Sequence, residues 1–421
     1  MKLSKMGIKT SKTIGTSEAY ATEMLLQSGQ LKRFSAGFYG YGTFLVKAKQ
    51  KLENIIRKHL DNAGCAEVQY SILQSSSYWK ASGRWQKYVD SGHMFTTTGR
   101  HGEYAISATA EEMSVEFLRN NIQSYRDLGF CQYQIGLKFR DELRVQGGII
   151  RSKEFHMMDA YSFDESKEKM IESFEKMKEV YYEIFNELGL EVKSIISVND
   201  MGGKVASEFM WFDEEYGQDT ILCNDELGLY VSSEVFDLKD ESLKELILGK
   251  HKNIDISKFE KRKALELGHI FQNDQVYSKM MNGTFINNKD KKDYYWNGCY
   301  GIGVSRILCI LVADSLKKYG KLIWEDEVSA FKVNIIAKND EISLAAAEKL
   351  YNELKAQNIN ACFDDRDLNI GEKINDNALF GVRRMIIVGK NFAKTGKLEF
   401  EDRKTNEKKN ITKEELIKIL K

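Results

Sequence analysis

FRDELRVQGGIIRSKEFHMMDAYSF, residues 139–163, decides the reading of this chain. The stretch puts Arg140-x-Glu142 on one apolar-flanked segment and Arg151-x-x-x-Phe155 on the next, with Gly147 and Gly148 in the loop between them. Two strands joined by such a loop present two guanidiniums, a carboxylate and an aromatic face to one ligand. A nucleotide requires that set: Arg pairs bidentately with phosphate, Glu accepts from an adenine amino group, and Phe stacks on a base. The plain alternative is a surface hairpin with scattered ion pairs.

At 421 residues the chain suits two domains with an insertion better than a single core. Its 62 Lys and Arg balance 62 Asp and Glu, so nucleic-acid binding has to come from local basic surfaces. Six cysteines (Cys65, Cys131, Cys223, Cys299, Cys309, Cys362) are spread without a CxxC pair. That spread argues against a zinc knuckle or a disulfide framework and fits a reducing cytoplasm. No apolar run reaches the roughly 18 residues of a membrane span, and MKLSKMGIKTSK lacks the apolar stretch of a signal peptide. A soluble cytoplasmic protein with no membrane partner is expected. His59, His93, His101, His156 and His251 show no metal spacing, so no protein-built metal site is expected.

The chain contains no proline at all, where ordinary usage of about 5 % implies on the order of 20. Turns must rely on Gly, Asn and Asp, and each former proline site adds unfolded-state freedom, about 0.4–1 kcal/mol where the geometry suited proline. The omission reads as deliberate removal.

Leu45, Leu52, Ile55, Ile56 and Leu60 recur at helical spacing between Gly42 and Gly64, and AEVQYSIL (66–73) reads as a strand after them. A second helix is expected over Glu165–Gly189, with Ile171, Phe174, Met177, Tyr181, Ile184 and Leu188 on its apolar face. From about 194 to 263, short strands such as MGGKVASEF and charged turns suggest a small insertion. After Phe331 the pattern alternates strand (FKVNIIA), helix (342–358), strand (NACF), short helix, strand (MIIVG) and closing helix, an α/β sheet with Thr412 and Glu415 at capping-box spacing.

Three clusters require one explanation: Thr109-Ala110-Glu111-Glu112, the two-arginine stretch, and GCYGIGVSR at 298–306. Their order is helix and strand, then Arg-x-Glu with Arg-x-x-x-Phe, then a glycine-rich strand and helix ending in Arg306. It resembles the ordered signature of class II aminoacyl-tRNA synthetases. Within that class the chain is similar to the bacterial-type prolyl-tRNA synthetases over essentially its whole length. The residues carrying this are LENII with GCAEV, SGRW, ATAEE, FRDELR, IIRSKEFHMMDAYSFD, ELGHIF and GCYGIGVSR, then FDDRDLNIGEK and LFGVRRMIIVGK. Threonyl-, glycyl- and histidyl-tRNA synthetases share the architecture, but MMDAYSF with GHIF and GCYGIG favours the prolyl branch. A Cys/His/His zinc set, which a threonyl enzyme would need, is absent from the sequence.

The resemblance implies an α+β catalytic domain with an antiparallel sheet over 1–328, including the insertion at about 194–263, and an α/β anticodon-binding domain over 329–421. It implies activation of proline by ATP with Mg2+, transfer to the 3′ end of tRNA(Pro), and a homodimer. Such chemistry is in-line attack of a carboxylate on phosphorus, catalysed by positioning and by stabilising charge on phosphate oxygens. By the same resemblance Arg140 would hold the α-phosphate and the substrate carboxylate, and Arg151 and Arg306 the triphosphate. Glu142 would take the adenine amino group, Phe155 would stack under the ring, and Glu266 would contact Mg2+. Thr109 and Glu111 match the amine-binding positions, while Phe155, Met157, His269 and Cys299 match or neighbour the ring pocket. Asp364, Asp365, Arg366 and Lys373 fall where the anticodon is read. A folded but inactive tRNA-binding protein is the alternative.

The chain departs from the family pattern at three places. Tyr70 stands where motif 1 ends in proline at the dimer interface. Val145 and Gln146 follow Arg144 where proline and arginine are common, and Ala108 precedes Thr109 in place of proline. The short segment between the second and third motifs leaves no room for a long editing domain, so measurable activation of alanine is expected.

Overall fold

In the computed structural model of the chain the described residues are all but 8, 17, 199–202, 204 and 252–254, together with the side chains of 246, 250, 390 and 393. The chain divides into two compact units: Glu53–Val145 with Arg151–Ile307, and Met1–Leu52 with Gln146–Ile150 and Leu308–Lys421. Residues 329–421 lie wholly in the second of these, which also takes in the N-terminal segment. The reason lies in the N-terminus, where the Met1 amine donates to the Ala361 carbonyl at 2.7 Å. Leu3 and Phe44 are buried with Ala330, Phe331 and Phe380, the Phe44 ring lying 4.9 Å from each of the two partner rings.

The first unit is built on a nine-stranded sheet in the order Val205–Phe212, Lys193–Ser197, Leu229–Ser232, Asp219–Asn224, Glu260–Asp274, Trp296–Ile302, Glu154–Asp164, Phe130–Phe139, Ala66–Glu67. Its central pairings are antiparallel. The long strand Glu260–Asp274 also pairs with Val205–Phe212, so the strands read as an insertion close a ring of pairings back onto it and extend the catalytic sheet. Of MGGKVASEF, residues 201, 202 and 204 lie outside the described residues, and 205–209 are strand.

Residues 158–164 are buried without interruption, as a strand covered on both faces must be. The helix Lys167–Glu187, capped by the Ser166 hydroxyl on the Lys169 amide, packs against three of the sheet's strands. Its buried stripe is Met170, Phe174, Met177, Tyr181, Ile184; Ile171, expected there, is 37 % exposed because the stripe starts one residue earlier. Close approach explains a strand glycine: a Cβ at Gly268 would sit 2.8 Å from Tyr181 Cε1.

The expected helix after Gly42 runs Thr43–Asn62, and Gly64 terminates it at φ +79°. AEVQYSIL, by contrast, yields strand only at Ala66–Glu67 and again at Leu73–Ser75. Beyond Val68, whose amide still reaches the Tyr133 carbonyl at 2.8 Å, the Tyr70 amide donates to the Gln134 side chain at 3.1 Å instead of to a neighbouring strand. A separate three-stranded sheet, Leu73–Ser75, Gly102–Ile106 and Thr96–Gly99, carries a cluster of Trp79, Trp85, Met94, Ala105 and Ala108.

In the second unit, Ala361–Asp364, Val333–Ala337 and Arg384–Val388 form the expected parallel core. The sequence reading omitted the antiparallel pair Leu398–Asp402 and Glu407–Ile411 that completes this sheet. In LEFED alternate residues are buried, but the charged turn around Asn406 (φ +61°) hid the hairpin. Helices Glu341–Ala356, Ile370–Phe380 and Lys413–Leu420 follow the expected order, and the last begins with the Thr412/Glu415 capping box.

Candidate active site

The chain turns out of strand Gly102–Ile106 and enters the helix Glu111–Phe117, so Glu111 and Glu112 are its first two residues, both buried. Glu111 Oε2 accepts from Thr109 Oγ1 at 2.6 Å and from Arg84 Nη1 at 3.1 Å, and Oε1 accepts from Cys299 Sγ at 3.3 Å. Glu112 Oε1 accepts from Ser82 Oγ at 2.7 Å and from Arg84 Nη1 at 3.2 Å. Burial opposes charge on Glu111, but Arg84, then Thr109 and Cys299, outweigh it and hold the carboxyl below its usual range. Burial, with repulsion from Glu111, keeps Glu112 above that range despite Arg84. Thr109, Glu111 and Cys299 are thus brought together.

Beneath them lies a second buried network. Asp159 pairs with Lys138 Nζ at 2.7 Å and accepts from Gln134 Nε2 at 2.9 Å and Tyr161 Oη at 2.8 Å. Tyr161 Oη in turn accepts the Ala110 amide at 3.0 Å, which fixes the backbone immediately before Glu111. Arg84, Lys138 and Asp159 were not assigned roles from sequence. The available signal was a charged residue inside an otherwise apolar run, as in FHMMDAYSF, where a charge is buried only with a partner.

Strand Phe130–Phe139 ends one residue before Arg140, and its partner begins at Glu154, so Arg140, Glu142 and Arg151 sit in the connecting segment, while Phe155 lies on the second strand opposite Lys138. Arg140 Nε donates to the Ala108 carbonyl at 3.3 Å, and its guanidinium lies 5.4 Å from the Phe155 ring centre. Met157 is opposite Gly136 on the same strand pair, half-buried, 3.8 Å from where a Cβ on Gly301 would be. Glu142 is occupied by Arg151, which donates through Nε at 3.0 Å and forms the ion pair through Nη2 at 2.9 Å; Arg151 itself is 46 % exposed.

Arg306 donates Nη1 to the Glu266 carbonyl and pairs with Glu266 Oε2 at 3.1 Å, while His269 Nδ1 stands 3.0 Å from Glu266 Oε1. Residues three apart on a regular strand face opposite sides. Here the register slips between Phe209 and Met210, so Leu267 is an extra residue and Glu266 and His269 meet on one side. Burial works against the Glu266 charge, but the hydrogen bond and charge of His269 and the charge of Arg306 hold it well below the carboxylate range. His269 stacks on Phe271 at 3.8 Å and faces Glu208, its cross-strand partner, at 3.7 Å. Burial foremost, helped by Glu266 and Asp219, pushes Glu208 up to about 7. Burial foremost, with Glu266, raises Asp219, while Arg306 and Arg151 lower it. The Ala108 carbonyl that takes Arg140 Nε immediately precedes Thr109, so Arg140 is anchored next to the Glu111 cluster.

Glu266, expected at Mg2+, is committed to Arg306 and His269, and among the described residues no group of three or more His, Cys, Asp or Glu is arranged to hold a metal ion.

In the other unit, Asp364 is fully buried and takes Arg366 Nε at 2.8 Å and Nη2 at 2.6 Å. Lys373 is also fully buried, donating to the Ala337 and Asp364 carbonyls at 2.9 and 3.2 Å. Unlike the other two residues expected at the anticodon, these two side chains are interior supports of the turn. Asp365 and Arg366 are half-buried, Asp365 accepting from Ser4 Oγ at 2.7 Å and Arg366 pairing with Asp376 at 2.8 Å.

Residues 95–315 match the family described as tRNA synthetase class II core domain (G, H, P, S and T), and residues 332–421 match the anticodon binding domain. The chain is 33 % identical over 413 residues to a proline–tRNA ligase of Rickettsia bellii, covering 94 % of this chain and 93 % of that one. It is 32 % identical over 400 residues to one from Sulfurimonas denitrificans, covering 91 % of each. In fold it is similar to the prolyl-tRNA synthetase of Cryptosporidium parvum solved with L-proline and AMP, at TM-score 0.73 and 17 % identity, over 99 % of this chain and 76 % of that one.

Proposed function

Since this chain belongs to the class II tRNA synthetases, in the proline–tRNA ligase family, we propose that it joins proline to ATP and passes the prolyl group to the 3′ end of tRNA(Pro). In the first step a proline carboxylate oxygen attacks the α-phosphorus and pyrophosphate leaves. In the second a terminal ribose hydroxyl attacks the carbonyl carbon and AMP leaves. Arg140 holds the substrate carboxylate and α-phosphate, and Arg151 and Arg306 take the remaining phosphates. Phe155 carries the adenine face. Glu111, with Thr109 beside it, receives the secondary ammonium, while Met157, His269 and Cys299 wall the ring. Mg2+ bound with ATP would neutralise charge on its phosphates.

The observation that carries this reading is the placement of Arg140: its Nε bonds the Ala108 carbonyl, immediately before Thr109 and the buried Glu111 it bonds, while its guanidinium lies 5.4 Å from the Phe155 ring centre. Arg151 engages Glu142 through Oε2, which leaves Oε1 to accept from the adenine amino group. The decisive measurement is proline-dependent ATP–pyrophosphate exchange on the parent, Arg140→Ala and Glu111→Gln. Arg140→Ala should abolish exchange, and Glu111→Gln should raise the proline KM while leaving that for ATP. Equal exchange by all three proteins refutes the assignment.

Asp365 and Arg366 are the proposed anticodon-facing side chains. A homodimer is supported by the exposed Ile72, Leu73 and Phe117 near Tyr70, whose ring lies 5.7 Å from that of Phe117; sedimentation tests it. Six free cysteines suit a cytoplasmic setting. The zero proline count is read as design: such a synthetase is made without consuming its own product.

A further inference from the structure

Arg84, assigned to neither proline nor ATP, is buried between the two glutamates of the amine end. Its Nη1 reaches Glu111 Oε2 at 3.1 Å and Glu112 Oε1 at 3.2 Å, and its guanidinium centre lies 5.1 Å from the Trp79 ring, 4.6 Å from Tyr88 and 5.3 Å from Tyr277. Three aromatic faces and a hydrogen bond to Tyr88 Oη hold the planar fork in one orientation. The oxygens of Glu111 are not equivalent. Oε2 takes the strong donors, Thr109 and Arg84, whereas the side chain facing Oε1 is the Cys299 thiol, a weak donor. An incoming ammonium displaces a thiol at little cost.

We propose that Arg84 and Glu112 act as a positioning pair for Glu111: one guanidinium shared by two buried carboxylates leaves the cluster a single net negative charge, placed on Glu111 and turned toward the substrate amine. Two carboxylates packed together without that cation would share a proton, and the site would lose its affinity for a cation as pH falls. The titratable groups facing Glu111 are Arg84, Glu112, Tyr88, Tyr161, Tyr277 and Cys299. Burial raises the three tyrosines and the thiol, so they stay neutral and leave the balance to the first two. The inference rests on Glu111 receiving the amine, and its test separates the two.

Exchange kinetics from pH 6 to 9 would be measured for Glu111→Gln, Arg84→Gln, Glu112→Gln and the Arg84→Gln/Glu112→Gln double variant, with KM for proline and for ATP determined separately. Arg84→Gln should raise the proline KM about tenfold or more, increasingly as pH falls, with the ATP KM within about twofold. The double variant again has one buried charge, on Glu111, and should recover to within about threefold of the parent. A merely structural Arg84 predicts the reverse, because a second buried substitution adds damage; a double variant no better than Arg84→Gln, or an ATP KM that rises in step, overturns the proposal. Should Arg84→Gln fail to fold, Glu112→Gln decides: with Arg84 then neutralising Glu111, the proline KM should rise about three- to tenfold at constant ATP KM, and an unchanged value overturns the proposal. If Glu111→Gln leaves the proline KM unaltered, the amine assignment itself falls. If it raises KM and the double variant does not recover, only the role of Arg84 falls.

Discussion

Replacing Lys138 by Met should destabilise the sheet unit and thereby test the buried network beneath the site. The Lys138 and Asp159 side chains are 2 % and 4 % exposed, with Nζ 2.7 Å from Oδ1. Removing one partner of such a pair leaves an uncompensated charge in low dielectric, at about 3–5 kcal/mol. Asp159 keeps the Gln134 and Tyr161 donors on Oδ2, so the lower end, about 3 kcal/mol, is expected. That corresponds to about 6–12 °C in Tm for a unit of this size. Urea unfolding followed by tryptophan fluorescence reads it directly, since Trp79, Trp85, Trp211 and Trp296 lie in this unit. Lys138→Met/Asp159→Asn removes both charges and should regain about 2 kcal/mol relative to Lys138→Met. Because Tyr161 links Asp159 to the Ala110 amide, the single variant should also bind proline more weakly. A Lys138→Met protein within about 1 kcal/mol of the parent, or a double variant no more stable than the single one, refutes the reasoning.

Three further outcomes are expected. Tyr70→Pro, which inserts the residue that the resemblance implies at this position, removes the amide bonded to Gln134 Oε1 and a buried ring packed near Phe117 and Tyr161; it should cost about 2–4 kcal/mol by urea midpoint, and a gain in stability refutes the account. Glu208, raised from 4.5 to about 7, is neutral in the folded chain where its unfolded counterpart is charged. Its stability contribution is complete below the unfolded value and lost as pH rises toward 7, so Glu208→Gln should be increasingly stabilising in Tm between pH 5 and 8, and a pH-independent difference contradicts this. Alanine differs from proline mainly by lost apolar contact, so exchange with alanine should be measurable at a cost of about 1–3 kcal/mol in kcat/KM; no exchange alongside active proline exchange rules this out.

How far the sequence could be read follows from which contacts are local. The helix after Gly42, the helix after Ser166 and the closing helix are set by periodicity and caps within a few residues, and each appears within two or three residues of its expected ends. AEVQYSIL failed as one strand because a side chain, Gln134, intercepts the Tyr70 amide, and nothing in the eight residues themselves encodes that. The C-terminal hairpin was missed because its charged turn masked a short alternation.

The motif order 109–112, 139–163 and 298–306 was enough, by itself, to identify the class of protein. Only the tertiary structure decided how those residues are engaged. A bulge at Leu267 turns Glu266 and His269 to one side, Arg151 occupies Glu142, Arg84 sits between Glu111 and Glu112, and Asp364 and Lys373 go inward. Motif spacing is a property of one segment. The partner of a charge depends on strand register and on packing between segments distant in the chain, and burial makes that choice of partner energetically binding.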